Sequence, residues 1–405
     1  MSTYSDASLI YYPSGYKASK AYSLKPTDGS GDLTFTRAST ATRVNESGLI
    51  ESVATGVPRI DYTGGGCGKL LLEPQRTNSI LYSQEIDNAY WTKVNLAVSA
   101  NVISSLDPSG LNTAELITAT SGVSQSEVSR SVTTINATPY VFSFFGKKGS
   151  GATDLNSFRV LGSGVLNTVT INWDTGAITQ SGSGATSVNM GNGWFRIIIP
   201  FTANSVTTVL QLVSFQVYPL NVSSLRWGAQ LEAGSYPTSP IITTTTAVTR
   251  VEDNYVVNNV YTNNLITASG GTWFVHIIDN TIKRRGTGGQ GIALSNTSTA
   301  AATTNGFKIA NASGTPNRLY ISRILSGSSV DYLTTTDTLK IGVTWNGTTA
   351  NVWVNGVKVI NSTSFTFTAM DYLTAQNGDV QKIIQSQMLF PTPLSDSDII
   401  ALTTI

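Results

Sequence analysis

Hydrophobic and polar positions along this chain alternate with a period of two far more often than with the 3.6-residue period of a helix. The runs "YVFSFFGKK" (140–148), "TVTINWD" (168–174), "WFRIIIPFT" (194–202), "TVLQLVSFQVY" (208–218) and "SLRWGAQLE" (224–232) are rich in β-branched and aromatic residues and are bounded by Gly, Asn, Asp and Pro. Such runs read as strands, because successive side chains point to opposite faces of a sheet. A second group follows: "TWFVHIID" (272–279), "RLYISRI" (318–324), "LKIGVTW" (339–345) and "ANVWVNGVKVI" (350–360). Between runs stand "DTG" (174–176), "NGW" (192–194) and the "NG" pairs at 346–347 and 355–356, residues that supply the positive φ of hairpin turns. Two clusters of strands predict an all-β chain with two β-sandwich or jelly-roll domains. A helical signal stands near the end. In "LSDSDIIAL" (394–402), Ser395 is followed three residues on by Asp398, a capping-box-like start for one short helix.

The first 85 residues differ. They are rich in Tyr, Gly and Pro, with short strands at best, such as "LTFTRA" and "KLLLEP". A segment this poor in core offsets its ordering entropy only by packing on something else. An extended arm is expected, packed on the same chain, on a partner subunit, or on both. The segment "SPIITTTTAVTRVEDN" (239–254) has a Thr run and few aromatics and reads as a connection between sandwiches. The expected divisions are an attachment or assembly arm at 1–85, a jelly roll at 86–245, a linker at 246–270 and a second sandwich at 271–405.

Composition narrows the class. A length of 405 residues suits two to three domains and buries several cores. With 25 basic and 24 acidic residues and a net charge of +1, no basic stripe argues for nucleic acid or an anionic membrane. Charged residues make up 12% of the chain, against roughly 25% in ordinary globular proteins; Ser, Thr, Asn and Gly take up the difference. A polar but weakly charged surface suits extracellular or virion-exposed β proteins more than cytosolic helical enzymes. The single cysteine, Cys67 in "TGGGCGK", excludes an intrachain disulfide and a zinc site of paired cysteines, and reads as a reduced thiol in a turn. No apolar stretch reaches 18 residues, so no membrane span is expected. The start "MSTYSDASLIYYPSG" lacks the basic and apolar regions of a secretory signal.

Candidate chemistry is sparse. A histidine-based triad or metal site would have to use His276, which reads as a structural strand histidine. Glycoside hydrolysis needs two carboxylates across a cleft; Asp154, Asp174, Glu232, Asp253, Asp279 and Asp331 sit in turns or at strand ends, and nothing in the sequence pairs them. No phosphate-binding loop is present: the "GGG" at 64–66 does not lead into a helix. No cofactor or metal is expected. Trp91, Trp173, Trp194, Trp227, Trp273, Trp345 and Trp353 lie in or beside strands. An exposed aromatic face would stack on a sugar ring, but packing in the core is the commoner role for each. Trp273 with the group Arg318, Tyr320 and Arg323 in "NRLYISRI" forms the candidate carbohydrate-binding set.

Longer motifs carry a resemblance. The run "DLTFTRASTATRVNESGLIESVATGVPRIDY" with "LLLEPQRTNSILYSQEIDNAYWTK" (32–93) resembles a leader of structural proteins of tailed bacteriophages. The stretches "DPSGLNTAELIT" (107–118), "INWDTGAI" (171–178), "MGNGWFRIIIPFTA" (190–203) and "RWGAQLEAGSYPTSPI" (226–241) resemble a carbohydrate-binding-module-like jelly roll. The region from "TWFVHI" to "VTWNGTTANVWVNGVKV" (272–359), closed by "PLSDSDIIAL", is similar to a laminin-G or concanavalin-A-like sandwich. The arrangement is like head-fibre or tail-fibre proteins, including those of crAss-like gut phages. The resemblance implies a virion-surface fibre or capsid decoration protein, assembled in the host bacterial cytoplasm and homotrimeric. Its arm would attach to other capsid or fibre proteins, and its lectin-like sandwiches would bind glycans weakly and in multiple copies. The alternative is a polysaccharide-degrading tail spike.

Within the leader, "TFTRASTATRVNESGLIESV" (34–53) holds Arg37, Arg43, Glu46 and Glu51. It reads as a hairpin: Thr34–Arg43 as one strand, "NESG" as the turn and "LIESV" as the return. Arg37 and Arg43 would then share a face, with Glu51 able to pair with one of them. That face is expected to meet another sandwich or a neighbouring subunit, with the arginines bonded to carboxylates or carbonyls there. Arg250, beside Glu252 and Asp253, would repeat the device. Arg37, Arg43, Glu51 and Arg250 are thus the candidate assembly residues.

Overall fold

The computed structural model describes residues 4–103, 105–150, 155–182, 184–278, 291–298, 306–311, 318–323, 329–333, 338–364, 367, 369–375 and 382–405. They are nearly all β, as the alternation predicts, with one α-helix among the described residues at Asp396–Thr403 and a 3-10 turn at Pro13–Gly15. The Ser395 side chain accepts a hydrogen bond from the Asp398 backbone N–H, the N-cap read from the sequence.

The chain forms two compact units, each built from separated segments. One contains Met1–Thr40, Val53–Gln75 and Val251–Ile405; the other contains Ala41–Ser52 and Arg76–Arg250. The expected divisions follow the chain, whereas these units interleave it. The leader therefore supplies strands to sheets whose other strands lie hundreds of residues away.

In the unit Ala41–Ser52/Arg76–Arg250, two antiparallel sheets face each other. One has the order Thr92–Val94, Gln125–Thr133, Thr207–Val217, Ser157–Gly162, Gly164–Ile171, Ile178–Ser181. The other runs Leu96–Ser99, Glu115–Ala119, Ser223–Ala233, Pro139–Lys148, Trp194–Thr202, Thr186–Gly191. Val128, Phe158, Val160, Val169 and Leu210 from the first meet Ile117, Phe142, Phe144, Ile197 and Leu231 from the second in one buried core. The strand Pro139–Lys148 is buried on both faces from Tyr140 to Gly146. Its outer residue Phe145 packs with Trp194, Trp227, Ala114 and Ile50. Ile50 comes from the return strand of the leader hairpin, which explains an apolar run too continuous for a sheet with one wet face.

The other unit has an eight-stranded sheet, counted over the described residues. Its path is Val357–Ser364, Thr349–Val354, Leu339–Trp345, Gly271–Ile278, Lys382–Phe390, Lys69–Leu72, Arg59–Asp61, with Leu9–Tyr11 also paired to Lys382–Phe390. The facing sheet runs Ser329–Leu333, Arg318–Arg323, Gly306–Asn311, Ile292–Ser295, Tyr372–Ala375, Asn254–Asn258, Thr34–Thr36. Trp273, Val275, Ile341 and Val343 of one sheet pack on Ile292, Leu294, Ile309 and Leu373 of the other. The run "ANVWVNGVKVI" is divided into two strands, Thr349–Val354 and Val357–Ser364, at its Asn-Gly pair. Asn355 (φ 50°) and Gly356 (φ 79°) turn the chain between them, in the left-handed conformation that Asn-Gly hairpins require. The helix lies over Gly342, where a Cβ would come within 2.5 Å of Ile399.

Candidate functional site

The leader arginines separate. The stretch 34–43 is not one strand: Thr34–Thr36 joins the sandwich sheet and Ala41–Val44 starts the hairpin. The break is made by Arg37 itself, whose Nε donates to the carbonyl of Ser39 two residues on (2.8 Å), a contact an extended strand does not allow. The remaining guanidinium N–H groups reach the carbonyls of Ala54 (2.6 Å) and Val57 (3.1 Å) and the Asp253 carboxylate (3.0 Å). Asp253 also accepts from Arg59 and from the Glu73 backbone N–H (2.8 Å), and Arg59 binds Glu73 (2.6 Å). Arg37, Arg59, Glu73 and Asp253 are all buried. Burial alone would lower the Arg59 pKa, but Asp253 and then Glu73 outweigh it and raise the value. This neutral cluster of two forks and two carboxylates holds segments of the leader to the start of the C-terminal sandwich within one unit. The carboxylate and carbonyls expected for Arg37 are those of its own unit.

Arg43 follows the simpler part of the sequence reading. It pairs with Glu51 across the hairpin at 2.7 Å, both partly exposed. The turn is closed by Asn45, whose Oδ1 accepts from the Ser47 and Leu49 N–H groups. Arg250 is buried on the strand Val248–Arg250, and donates to the hydroxyls of Thr238 (3.0 Å) and Ser239 (3.2 Å). Its sequence neighbour Asp253 belongs to the Arg37–Arg59 cluster.

Trp273 is 1% exposed in the core of its sandwich and offers no face to a glycan. All seven tryptophans are buried. Arg318, Tyr320 and Arg323 fall on the paired strand Arg318–Arg323, but their side chains lie outside the described residues. Glu232 and Asp253 are buried in structural hydrogen-bond networks. Asp154 and Asp279 lie outside the described residues, as does the Asp331 side chain. The structure therefore assembles no pair of the candidate carboxylates among the described residues. His276 is half-buried, and burial with the nearby Lys340 lowers its pKa to about 4.

A concavity lies elsewhere. In the unit Ala41–Ser52/Arg76–Arg250, a concavity of about 370 Å³ is lined by Lys148, Asn156, Asn172, Trp173, Asp174 and Thr179, with Thr170, Ile171 and Ala177. That volume falls within the range of about 300–1,000 Å³ usual for small-ligand clefts. Lys148 ends the strand Pro139–Lys148, Asn156 precedes Ser157–Gly162, and the remainder come from the facing ends of Gly164–Ile171 and Ile178–Ser181 and the turn between them. Asn172 Oδ1 fixes that turn by accepting from the Asp174 (2.9 Å) and Thr175 (3.2 Å) N–H groups. Gly176 closes it at φ 75°, packed under Phe195. Asn156 Nδ2 donates to the Ile171 carbonyl at 3.1 Å.

At the rim, Lys148 Nζ reaches both Asp174 oxygens, at 2.9 and 3.1 Å. Beneath it Trp173 is held by the buried Arg226 guanidinium, 5.3 Å from its ring, and by the absence of a side chain at Gly146. Among the described residues the buried Trp173 Nε1 has no hydrogen-bond partner. The sequence flagged Asp174 and the "INWDTGAI" turn; it did not flag Lys148 or Asn156, which join it only through the fold.

No protein-family model and no curated protein matches the chain. Among solved structures it is similar to the receptor-binding domain of a botulinum neurotoxin C/D mosaic serotype, at 16% identity and a TM-score of 0.30, over 38% of this chain and 40% of that one. It is also similar to the binding domain of botulinum neurotoxin DC in complex with rat synaptotagmin II, at 16% identity, TM-score 0.28 and the same shares. A third is a mutant Trypanosoma rangeli sialidase displaying trans-sialidase activity, at 10% identity and TM-score 0.27, over 33% and 22%. Each likeness spans two fifths or less of the other chain's length.

Proposed function

We propose that this chain is a structural and adhesive protein of a tailed-phage virion surface, of the fibre or capsid-decoration kind. Its β-sandwich units bind host or environmental glycans weakly and in many copies. The observation that carries the binding part is the solvent-open polar concavity of Lys148, Asn156, Asn172 and Asp174. Its planar amides, carboxylate and ammonium are the groups that exchange hydrogen bonds with sugar hydroxyls. The resemblance of residues 32–93 to phage structural leaders supports the virion part, with attachment to other capsid or fibre proteins and a homotrimer as its consequences. Weak sites repeated by symmetry gain avidity without new contacts. The reading is one of binding rather than catalysis: Asp174 is the one carboxylate among the residues lining the concavity.

The test combines labelling of intact virions by antibody with a glycan array probed by the purified full chain. Signal on virion fibres or capsids and binding to surface glycans at high valency are expected. Release of reducing sugar from a bound polysaccharide would replace the adhesive reading with the enzymatic one. Light scattering that returned a monomer of 43.0 kDa at micromolar concentration would remove the trimer.

A further inference from the structure

In the unit Ala41–Ser52/Arg76–Arg250, one row of directly paired residues crosses the six-stranded sheet that begins with Thr92–Val94. Thr92 stands opposite Ser129, Ser129 opposite Gln211, Gln211 opposite Arg159, Arg159 opposite Thr168, and Thr168 opposite Ser181. Directly opposite residues share a face, and their neighbours along each strand point the other way. Those neighbours, Val128, Phe158, Val160, Val169, Leu210 and Leu212, lie in the core, so the row faces outward. Every member of it is polar. Ser129 and Gln211 are nevertheless only 5% and 4% exposed, so the middle of this outer face is sunk among its neighbours. The face continues into the concavity. Thr170 and Thr179, which line the concavity, are opposite each other and lie two residues along from Thr168 and Ser181.

Arg159 is the one charged residue of the row. Its half-buried side chain makes no hydrogen bond or ion pair among the described residues, and its buried Nε has no partner. The buried Gln211 Oε1 across from it has none either. Buried polar groups are normally satisfied, so two unsatisfied ones on a cross-strand pair call for an explanation. Nothing on that face answers the charge. By register the nearest acid is Glu127, two residues from Ser129 and two strands from Arg159, roughly 10 Å or more away. Burial keeps the Tyr218 phenol, which feels the Arg159 charge, in its neutral form. Leu161 and Val209, opposite each other and half-buried, stand two residues along from Arg159 and Gln211 on the same face. An unanswered guanidinium fork is complementary to a carboxylate, which it binds through two parallel hydrogen bonds. The hydroxyls and amide around it suit sugar hydroxyls, and the Leu161–Val209 step suits the apolar C–H face of a sugar ring.

Building on the glycan-binding reading above, we propose that this outer sheet face takes a carboxylate-bearing sugar of a polymer that also enters the concavity. Arg159 holds the carboxylate, Gln211 and Thr168 bond hydroxyls beside it, and the ring rests on Leu161 and Val209. The grip is local: a net charge of +1 gives little long-range pull, so salt weakens the contact without abolishing it.

The test uses the intact chain, Arg159→Gln and Arg159→Lys, with two probes: a polyuronate, and the same polymer with its carboxyl groups reduced to alcohols. Binding is read by affinity electrophoresis and calorimetry at low and high salt, beside the melting temperature of each variant. Arg159 has no partner to lose, so both variants melt like the parent. Expected is preference for the polyuronate over its reduced form, weakened about tenfold or more by Arg159→Gln. Arg159→Lys, which keeps the charge without the fork, recovers part of that loss and shows that the loss is not one of folding. Polyuronate binding that survives Arg159→Gln overturns this site. Equal binding of the two polymers overturns the carboxylate assignment and leaves the glycan-binding reading standing. Binding to no glycan in multivalent form overturns both.

Discussion

Replacing Asp253 with Ala tests what holds the leader to its sandwich. Asp253 is 0% exposed and accepts from Arg37, Arg59 and the Glu73 backbone N–H. Without it, the cluster changes from neutral to one uncompensated buried positive charge, shared by two guanidinium groups with only Glu73 to answer them. Removing one partner of a buried ion pair costs about 3–5 kcal/mol. In a unit of this size each kcal/mol moves the melting temperature by about 2–4 °C, so a fall of about 6–20 °C is expected in the transition of that unit. Differential scanning calorimetry of the full chain reads it. Arg43→Ala is the control, in the same leader stretch as Arg37 but in the other unit. Its partner Glu51 is 36% exposed and Arg43 itself 18%; a surface pair of this kind contributes at most about 1 kcal/mol, so its shift stays below about 4 °C. If the two variants melt alike, or Asp253→Ala falls by less than the control limit, the buried cluster is not what secures the leader.

Three further outcomes are expected. Glu115 is buried beside Asp87, and burial followed by that contact pushes its pKa up to about 8. The folded state therefore holds a proton that the unfolded chain releases near pH 4.3. The stability from this group is complete below about pH 4.3 and is lost as pH rises to about 8; Glu115→Gln should flatten that slope in denaturant titrations, and an unchanged slope would refute the assignment. His276 is the one histidine of the chain, so its ring protons titrate alone in an NMR spectrum. They should move near pH 4 rather than 6.5, because burial and Lys340 disfavour the charged ring; a midpoint near 6.5 would contradict its burial. Gly146→Ala would place a Cβ 2.4 Å from the Trp173 ring. Overpacking of this kind costs about 1–3 kcal/mol and should shift tryptophan fluorescence and weaken glycan binding; a variant that melts and binds like the parent would show that the ring has room to move.

The strands were legible because alternation and turn residues are local. The run "WFRIIIPFT" is the strand Trp194–Thr202, and Ser395 caps the helix as its spacing predicts. What escaped was whatever depends on contacts far along the chain. Arg37 meets its carboxylate 216 residues away and Arg59 meets the same one 194 residues away, distances over which a pattern of charges says nothing about pairing. The same limit explains why one strand was read through Arg37: the side chain that breaks it bonds Ser39 and Asp253, and only the first of these is near in sequence. The tryptophans show the opposite case. Alternation placed Trp273 on a strand, and core packing was its commoner role, which the structure gives it. The rim of the concavity was half legible: Asp174 stood in a turn motif, but Lys148 reaches it only because the strand Pro139–Lys148 ends beside that turn.

The low charge of the chain also gains a physical sense from where its charges went. Arg37, Arg59, Glu73 and Asp253 are spent inside one unit, and Arg226, Arg250, Glu115 and Glu232 inside the other. Buried ions of this kind must be matched by partners to be tolerated, and in return they specify which segments meet. A surface already poor in charge is thereby made poorer, so long-range steering of a charged ligand is weak. Recognition on such a surface falls to short-range hydrogen bonding by hydroxyls, amides and the occasional exposed ion pair. The Lys148–Asp174 pair is one of those few, and it stands over a concavity. A chain that places part of its fixed charge where it determines architecture is suited to ligands recognised by hydrogen bonds rather than by net charge. Its affinity would then depend on the number of copies displayed more than on the ionic strength around them.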